Sequence, residues 1–163
     1  MNVEEIKLAY AISTSSTPRG YMGAVLITDY KGFPLEFQYT DPITPTKIQQ
    51  VLYGKGLEKY IKVDVILDSL FKVIANSASL VIVQDEDLLR YNTNANIVRV
   101  SSTKAAPLGQ PGEVSTVKPG EYLLQTSHVD NPVRLKLKPD LSQDSPEFAR
   151  IKEILTEAGN FID

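Results

Sequence analysis

The sequence predicts an α/β or α+β fold: a mixed sheet built on an N-terminal β-hairpin, helices from about residue 45 to 76 on one face, and a β-rich C-terminal portion closed by a final helix. Two runs, Met22 to Thr28 and Leu80 to Val83, are apolar on both pleat faces, which is typical of strands covered from both sides. Between them, apolar residues recur at helical spacing from Ile48 to Ile74, with a break at residues 54–56.

The N-terminal hairpin carries the strongest local signal. Asp29 and Gly32 predict its turn, because Asp can bond the backbone ahead of it and Gly can adopt a positive φ. After the turn, Leu35, Phe37 and Tyr39 alternate with polar residues, so we expect these three side chains to point into the core. Before the turn, an apolar run predicts a first strand that ends in a hydroxyl-rich loop.

Helix starts are marked by capping residues followed by proline. Thr44 and Pro45 predict the start of the first helix, and Ser145 and Pro146 predict the start of the last one. Gly159 is suited to end that last helix. Between the helices, Pro/Gly turns separate four short strand candidates, which are Ile97 to Val100, Val114 to Val117, Tyr122 to Thr126 and Val133 to Leu137.

Length and charge limit the class of protein. The 163 residues fit one domain, 1–163, and the alternative division is an α/β core at 1–91 and a β-rich portion with the final helix at 92–163. The formal charge of −3 gives no net attraction to nucleic acid or anionic lipid, so neither is favoured as a partner. The acidic start resembles no signal peptide and no long apolar run is present, which predicts a cytoplasmic protein.

The composition excludes several kinds of chemistry. With no Cys, the chain has no disulfide, thiolate metal site or cysteine nucleophile, and His128 is its single His. Ser127, His128 and Asp130 contain the residue types of a hydrolytic triad, but neighbours on one strand point to opposite faces, so we interpret them as a polar turn. The alternating Arg134, Lys136 and Lys138 are interpreted as a solvated strand face.

The acids at residues 85 to 87 are the most informative cluster. Because ligands of open α/β sheets gather beyond the carboxyl ends of strands, Asp85 and Asp87 are candidates to hold Mg²⁺. Ser13 and Ser15, in the hydroxyl-rich segment after the first strand, are candidate ligand-binding residues in the same interpretation. The alternative, which we favour, is that Asp85 caps a short turn.

The order of elements resembles the first half of the ribonuclease H-like nucleases: antiparallel strands, a helix, and a buried strand ending in Asp. In that family, an aspartate on the first strand and an acid on the first helix join the acid after the fourth strand to hold two metal ions. Here Ala11 to Ser15 and Thr46 to Tyr53 contain no carboxylate, and only Asp85 matches. The resemblance therefore implies the fold without that activity. The hairpin also resembles that of roadblock-like and profilin-like dimerising modules.

Because no catalytic constellation is complete, the sequence favours a non-catalytic interaction or scaffold module without a cofactor, whose partner is another protein or a second copy in a homodimer. Tyr30 and Phe33 at the hairpin tip are the expected interface residues. The alternative is a metal-dependent phosphoester enzyme or nucleotide-binding protein with a ribonuclease H-like core, centred on Asp85 and Asp87 with Mg²⁺.

Overall fold

A computed structural model describes residues 3–16, 20–91, 96–127, 130–138, 141 and 143–158. The described chain forms one eight-stranded sheet with the strand order β3-β2-β1-β4-β5-β8-β7-β6. The strands are β1 (Leu8–Ser16), β2 (Gly20–Thr28), β3 (Pro34–Tyr39), β4 (Leu80–Val83), β5 (Asn96–Ser102), β6 (Val114–Lys118), β7 (Glu121–Leu124) and β8 (Val133–Lys136).

The sheet is mixed, and its parallel part lies in the middle. Strand β1 runs antiparallel to β2 but parallel to β4, and β4 runs parallel to β5. The three later strands extend the sheet by antiparallel pairing from β5 outward. The β-rich portion therefore continues the sheet that the hairpin begins, while residues 92–95, at the alternative division, lie outside the described chain. The architecture confirms the predicted fold class.

A helical region connects β3, at the edge of the sheet, to β4, which pairs parallel with β1 on the far side of β2. It consists of α1 (Lys47–Tyr53), a 3₁₀ turn (Gly54–Gly56), α2 (Leu57–Tyr60), a π-helical segment (Ile61–Leu67) and α3 (Asp68–Val73). Short 3₁₀ helices cover Val3–Glu5 and Glu86–Arg90, and α4 (Pro146–Ala158) follows the sheet. Within the described chain, no helix has the length and apolar character needed to span a bilayer.

Alternating residues of the central strands supply two cores, one on each face of the sheet. Leu8, Leu80 and Ile82 pack in the core that contains α4. Ala9 and Val81, one position along, pack in the core that contains α2, the π segment and α3. The two apolar faces of the central strands are thus covered by helices from different parts of the chain, as double-sided strands require.

The expected orientation of β3 was wrong. Leu35, Phe37 and Tyr39 are exposed, Tyr39 by 67%, and belong to neither core. The residue between them, Glu36, faces the helical layer and accepts hydrogen bonds from the backbone N–H groups of Ala75 and Asn76 at 3.0 Å. The alternation of polar and apolar residues in β3 distinguishes the two faces of the strand but does not show which face is covered. In this edge strand the helical layer covers the face that carries Glu36.

Predictions of turns and caps from local signals were more accurate than predictions of which side chains are buried. The Asp29 carboxylate accepts hydrogen bonds from the N–H groups of Lys31 and Phe33 at 2.9 Å, and Gly32 has a φ of +90°, which confirms the predicted turn. The predicted cap of α1 was displaced, since Thr46 and not Thr44 is its N-cap. Helix α1 has no buried residue, so its apolar side chains are exposed, although their spacing indicated a core position.

Candidate functional site

The candidate site lies at the carboxyl ends of β1 and β4. Val83 ends β4 and pairs with Ala11 of β1, and Ser13 and Asp85 each lie two residues beyond this pair. Ala11 and Val83 both point into the core on the helical side, and the alternation of strand side chains directs Ser13 and Asp85 to that side as well. The Ser13 Oγ atom is buried and has no hydrogen-bond partner among the described residues.

Lys62 reaches this edge from the π segment. Its Nζ atom lies 2.7 Å from Asp85 Oδ2 and 3.5 Å from Asp87 Oδ2. The Glu58 Oε1 atom, one helical turn earlier, is 3.4 Å from the same nitrogen. Lys62 is only 9% exposed, so three carboxylates surround one buried ammonium group. We call Lys62, Asp85, Asp87 and Glu58 the lysine-acid cluster.

The local sequence explains why Lys62 is buried. It lies between Ile61 and Val63, which both pack in the core on the helical side. The segment is wound as a π-helix, a rare conformation that is frequent at functional sites. The wider turn is held against the sheet because Ile66 packs directly over Gly23 of β2, where an added Cβ would lie 2.2 Å from Ile66 Cγ2.

Electrostatic interactions and hydrogen bonds keep Lys62 and Asp85 ionised. Burial alone would lower the pKa of Lys62, but the hydrogen bond to Asp85 and the charges of Asp85, Glu58 and Asp87 raise it overall. Burial likewise would raise the pKa of Asp85, yet the hydrogen bonds from Lys62 and from the Asp87 backbone, with the charge of Lys62, lower it. The ammonium and the Asp85 carboxylate therefore both remain charged at neutral pH.

The acids at 85 to 87 also have structural roles. Asp85 Oδ1 accepts the Asp87 N–H at 3.0 Å and caps the 3₁₀ helix Glu86–Arg90, which confirms the predicted cap. Glu86 points elsewhere and contacts Lys136 Nζ at 2.7 Å and Arg99 Nη1 at 3.3 Å. Each of the three acids at residues 85 to 87 thus has a basic partner within the chain. Because Lys136 pairs with Glu86, the predicted row of Arg134, Lys136 and Lys138 is not solely a solvated strand face.

These residues do not fit the two-ion arrangement that the sequence resemblance implies. Across the described residues, no three Asp, Glu or His side chains converge closely enough to hold a metal ion. Strand β1, where the resemblance implies an aspartate, contains no carboxylate, and Lys62 Nζ lies within 3.5 Å of both Asp85 and Asp87. The assignment of those two aspartates to a metal stays a prediction.

A cavity of about 350 Å³ lies beside the cluster. Lys59 connects the two, because its Nζ is 3.9 Å from Asp87 Oδ1 and its side chain also lines the cavity. The Tyr60 ring, another lining group, stacks on Tyr53 with the ring centres 4.9 Å apart. The lining residues are Gly56, Lys59, Tyr60, Val63, Asp64 and Arg90. Cations and an aromatic ring therefore share one concave surface.

The remaining sequence candidates do not join this site. Tyr30 is partly buried against the core that contains α4, whereas Phe33 is 64% exposed, so the hairpin tip does not present two free rings. The side chain of Ser15 and the whole of His128 lie outside the described residues. Sequence reasoning missed Lys62 and Glu58, although a lysine within an apolar run, four residues after an acid, was a visible signal.

Known structures share this fold. No protein-family model matches the chain, and no curated protein matches it by sequence. Human ENDOV is 9% identical, with a TM-score of 0.53 over 93% of this chain and 82% of that one. Endonuclease V from Streptomyces avermitilis is 11% identical, with a TM-score of 0.47 over 80% of this chain, which spans 64% of its length. Marinitoga piezophila Argonaute, in complex with guide RNA and target DNA, is 17% identical, with a TM-score of 0.46 over 94% of this chain and 26% of its own.

This comparison corrects the main functional interpretation of the sequence. The expectations of a non-catalytic interaction or scaffold module, of a protein partner or homodimer, of no cofactor and of no role for nucleic acid were wrong. The finding that overturns them is the fold shared with human ENDOV, at a TM-score of 0.53 over 93% of this chain. Of the two interpretations, the shared fold agrees with the alternative one, which assumed a ribonuclease H-like core.

Proposed function

We propose that the chain is a nucleic-acid-binding protein with a ribonuclease H-like core, and that it contacts the phosphodiester backbone beside the carboxyl ends of β1 and β4. The observation that carries this proposal is the fold: 93% of the chain matches human ENDOV, with β1, β4 and β5 parallel in the centre of the sheet. Parallel strands end at one edge, and open sheets bind ligands beyond the carboxyl ends of their strands.

The cavity next to the lysine-acid cluster supports the proposal chemically. The side chain of Lys59 is 52% exposed, and Arg90 at the end of the 3₁₀ helix is also exposed, so both are accessible to phosphate oxygens. Tyr60 offers a ring on which a base can stack. A cavity of about 350 Å³ has the volume of a small-ligand site, which suits one nucleotide unit of a single strand and not a duplex.

Fluorescence anisotropy of labelled single-stranded DNA, single-stranded RNA and duplex DNA tests this proposal. We expect binding of single strands that weakens as salt rises, because phosphate contacts release counterions. Replacing Lys59 or Arg90 with Ala should each reduce the salt slope by about 1. Lys72→Ala is the matched control, because Lys72 is exposed on the same helical region but pairs with Asp68. The proposal fails if no oligonucleotide binds at low salt, or if Lys72→Ala weakens binding as much as the other two variants.

A second candidate function is phosphoester hydrolysis assisted by a divalent cation at Asp85 and Asp87. It is the alternative that the sequence left open, and it requires Lys62 to leave the position that it shares with these two carboxylates. The same oligonucleotides, incubated with Mg²⁺ or Mn²⁺ and resolved by length, test it. Cleavage that disappears in Asp85→Asn supports hydrolysis, and intact oligonucleotides after prolonged incubation with the parent protein reject it.

A further inference from the structure

We infer that Lys62 and a divalent cation compete for one position between Asp85 and Asp87, and that the ammonium group of Lys62 holds this position in the folded chain. The inference concerns the edge of the sheet where nucleic acid is proposed to bind, but it does not depend on that binding. It follows from the disagreement between the fold, which is shared with human ENDOV, and the residues found at the carboxyl end of β4.

The geometry of the lysine-acid cluster is that of a cation site already filled. The Lys62 nitrogen lies 2.7 Å, 3.4 Å and 3.5 Å from oxygens of Asp85, Glu58 and Asp87. Magnesium is bound in proteins by one or two carboxylates at about 2.0 to 2.1 Å, so an ion held by Asp85 and Asp87 would need the space that the ammonium occupies. A divalent ion placed there together with the ammonium would meet strong repulsion at short range in a partly buried environment. Metal and lysine therefore exclude each other.

The chain restrains Lys62 from moving away. Its neighbours Ile61 and Val63 are 3% and 7% exposed, and the π segment is packed on the sheet through Ile66. Retreat of the ammonium would also leave the Asp85 carboxylate without its strongest partner, at 2.7 Å. Displacement by metal must accordingly disrupt the buried ion pair, which lowers the affinity of the acid pair for any divalent cation.

Calorimetric titration of Mn²⁺ into the full chain tests the competition. The neutral variant Lys62→Met should bind Mn²⁺ at least tenfold more tightly than the parent protein, and its melting temperature should rise more on addition of the metal. Lys72→Met is the matched control, because Lys72 is an exposed lysine of the same helical region that pairs with Asp68 and not with Asp85 or Asp87, and its affinity should equal that of the parent. Adding Asp85→Asn to Lys62→Met should remove the gain.

Three results would overturn the inference: equal affinities of the parent and Lys62→Met, the same gain in Lys72→Met, or a gain that survives Asp85→Asn. Since Lys62→Met leaves Asp85 and Glu58 without their lysine partner, circular dichroism first verifies its fold. If it does not fold, Lys62→Gln replaces it, because Gln keeps a donor for Asp85 and removes the charge, and the same thresholds apply. Oligonucleotide binding plays no part in these titrations, so their outcome is separate from that of the proposed function.

Discussion

Replacing Gly23 with Ala should push the π segment away from β2 and destabilise the fold. An added Cβ would lie 2.2 Å from Ile66 Cγ2 and 3.1 Å from the Ile12 carbonyl oxygen, whereas ordinary contacts begin at 3.4 Å. Ile66 must therefore retreat by about 1.2 Å, the difference between 3.4 Å and 2.2 Å. Overpacking of this kind costs about 1 to 3 kcal/mol of folding free energy. At about 2 to 4 °C per kcal/mol for a chain of this size, the loss is visible in thermal unfolding.

Urea denaturation of a double-mutant cycle isolates this contact. Ile66→Ala removes the methyl group that clashes and should by itself cost about 2 to 5 kcal/mol, since Ile66 is fully buried. In Gly23→Ala/Ile66→Ala the losses should fall short of additivity by about 1 kcal/mol or more. Gly56→Ala is the control, because nothing lies within 4 Å of its added Cβ and its stability should not fall. Additive losses, or a Gly23→Ala protein as stable as the parent, would refute the reasoning.

Two further predictions concern the pH dependence and the helix at the surface. Hydrogen bonds from Gln38, Asn76 and the Ala75 backbone lower the pKa of Glu36 from 4.5 to about 2, so its contribution to stability is complete above 4.5 and is lost as the pH falls toward 2. The melting-temperature advantage of the parent over Glu36→Gln should shrink across that range, and a constant difference contradicts the assignment. In α1, which has no buried residue, Thr46→Ala removes a capping box worth about 1 kcal/mol, so amide exchange there should accelerate about fivefold while global unfolding is unchanged. A lowered global melting temperature would show instead that α1 is coupled to the core.

Short-range chemistry was predictable from the sequence alone. The turn at Asp29 and Gly32 and the cap at Asp85 each involve bonds between residues four or fewer positions apart. The Ser145 cap likewise accepts the Phe148 N–H at 3.2 Å. Buried strands with two apolar faces were identified for the same reason, because a continuous apolar run indicates that both faces of the strand are buried. These features required no knowledge of the rest of the chain.

Only the tertiary structure decided which faces are covered and which distant charges meet. The alternation in β3 marks two faces equally well, and the helical layer lies on the side of Glu36, leaving Phe37 and its apolar neighbours exposed. Lys62 and Asp85 are separated by 23 positions, and their pairing depends on the parallel β1–β4 register and on the π segment packed over Gly23. Periodicity encodes a difference between faces, whereas contacts between remote segments depend on how the layers assemble, so the acids that suggested a metal site are found around a lysine.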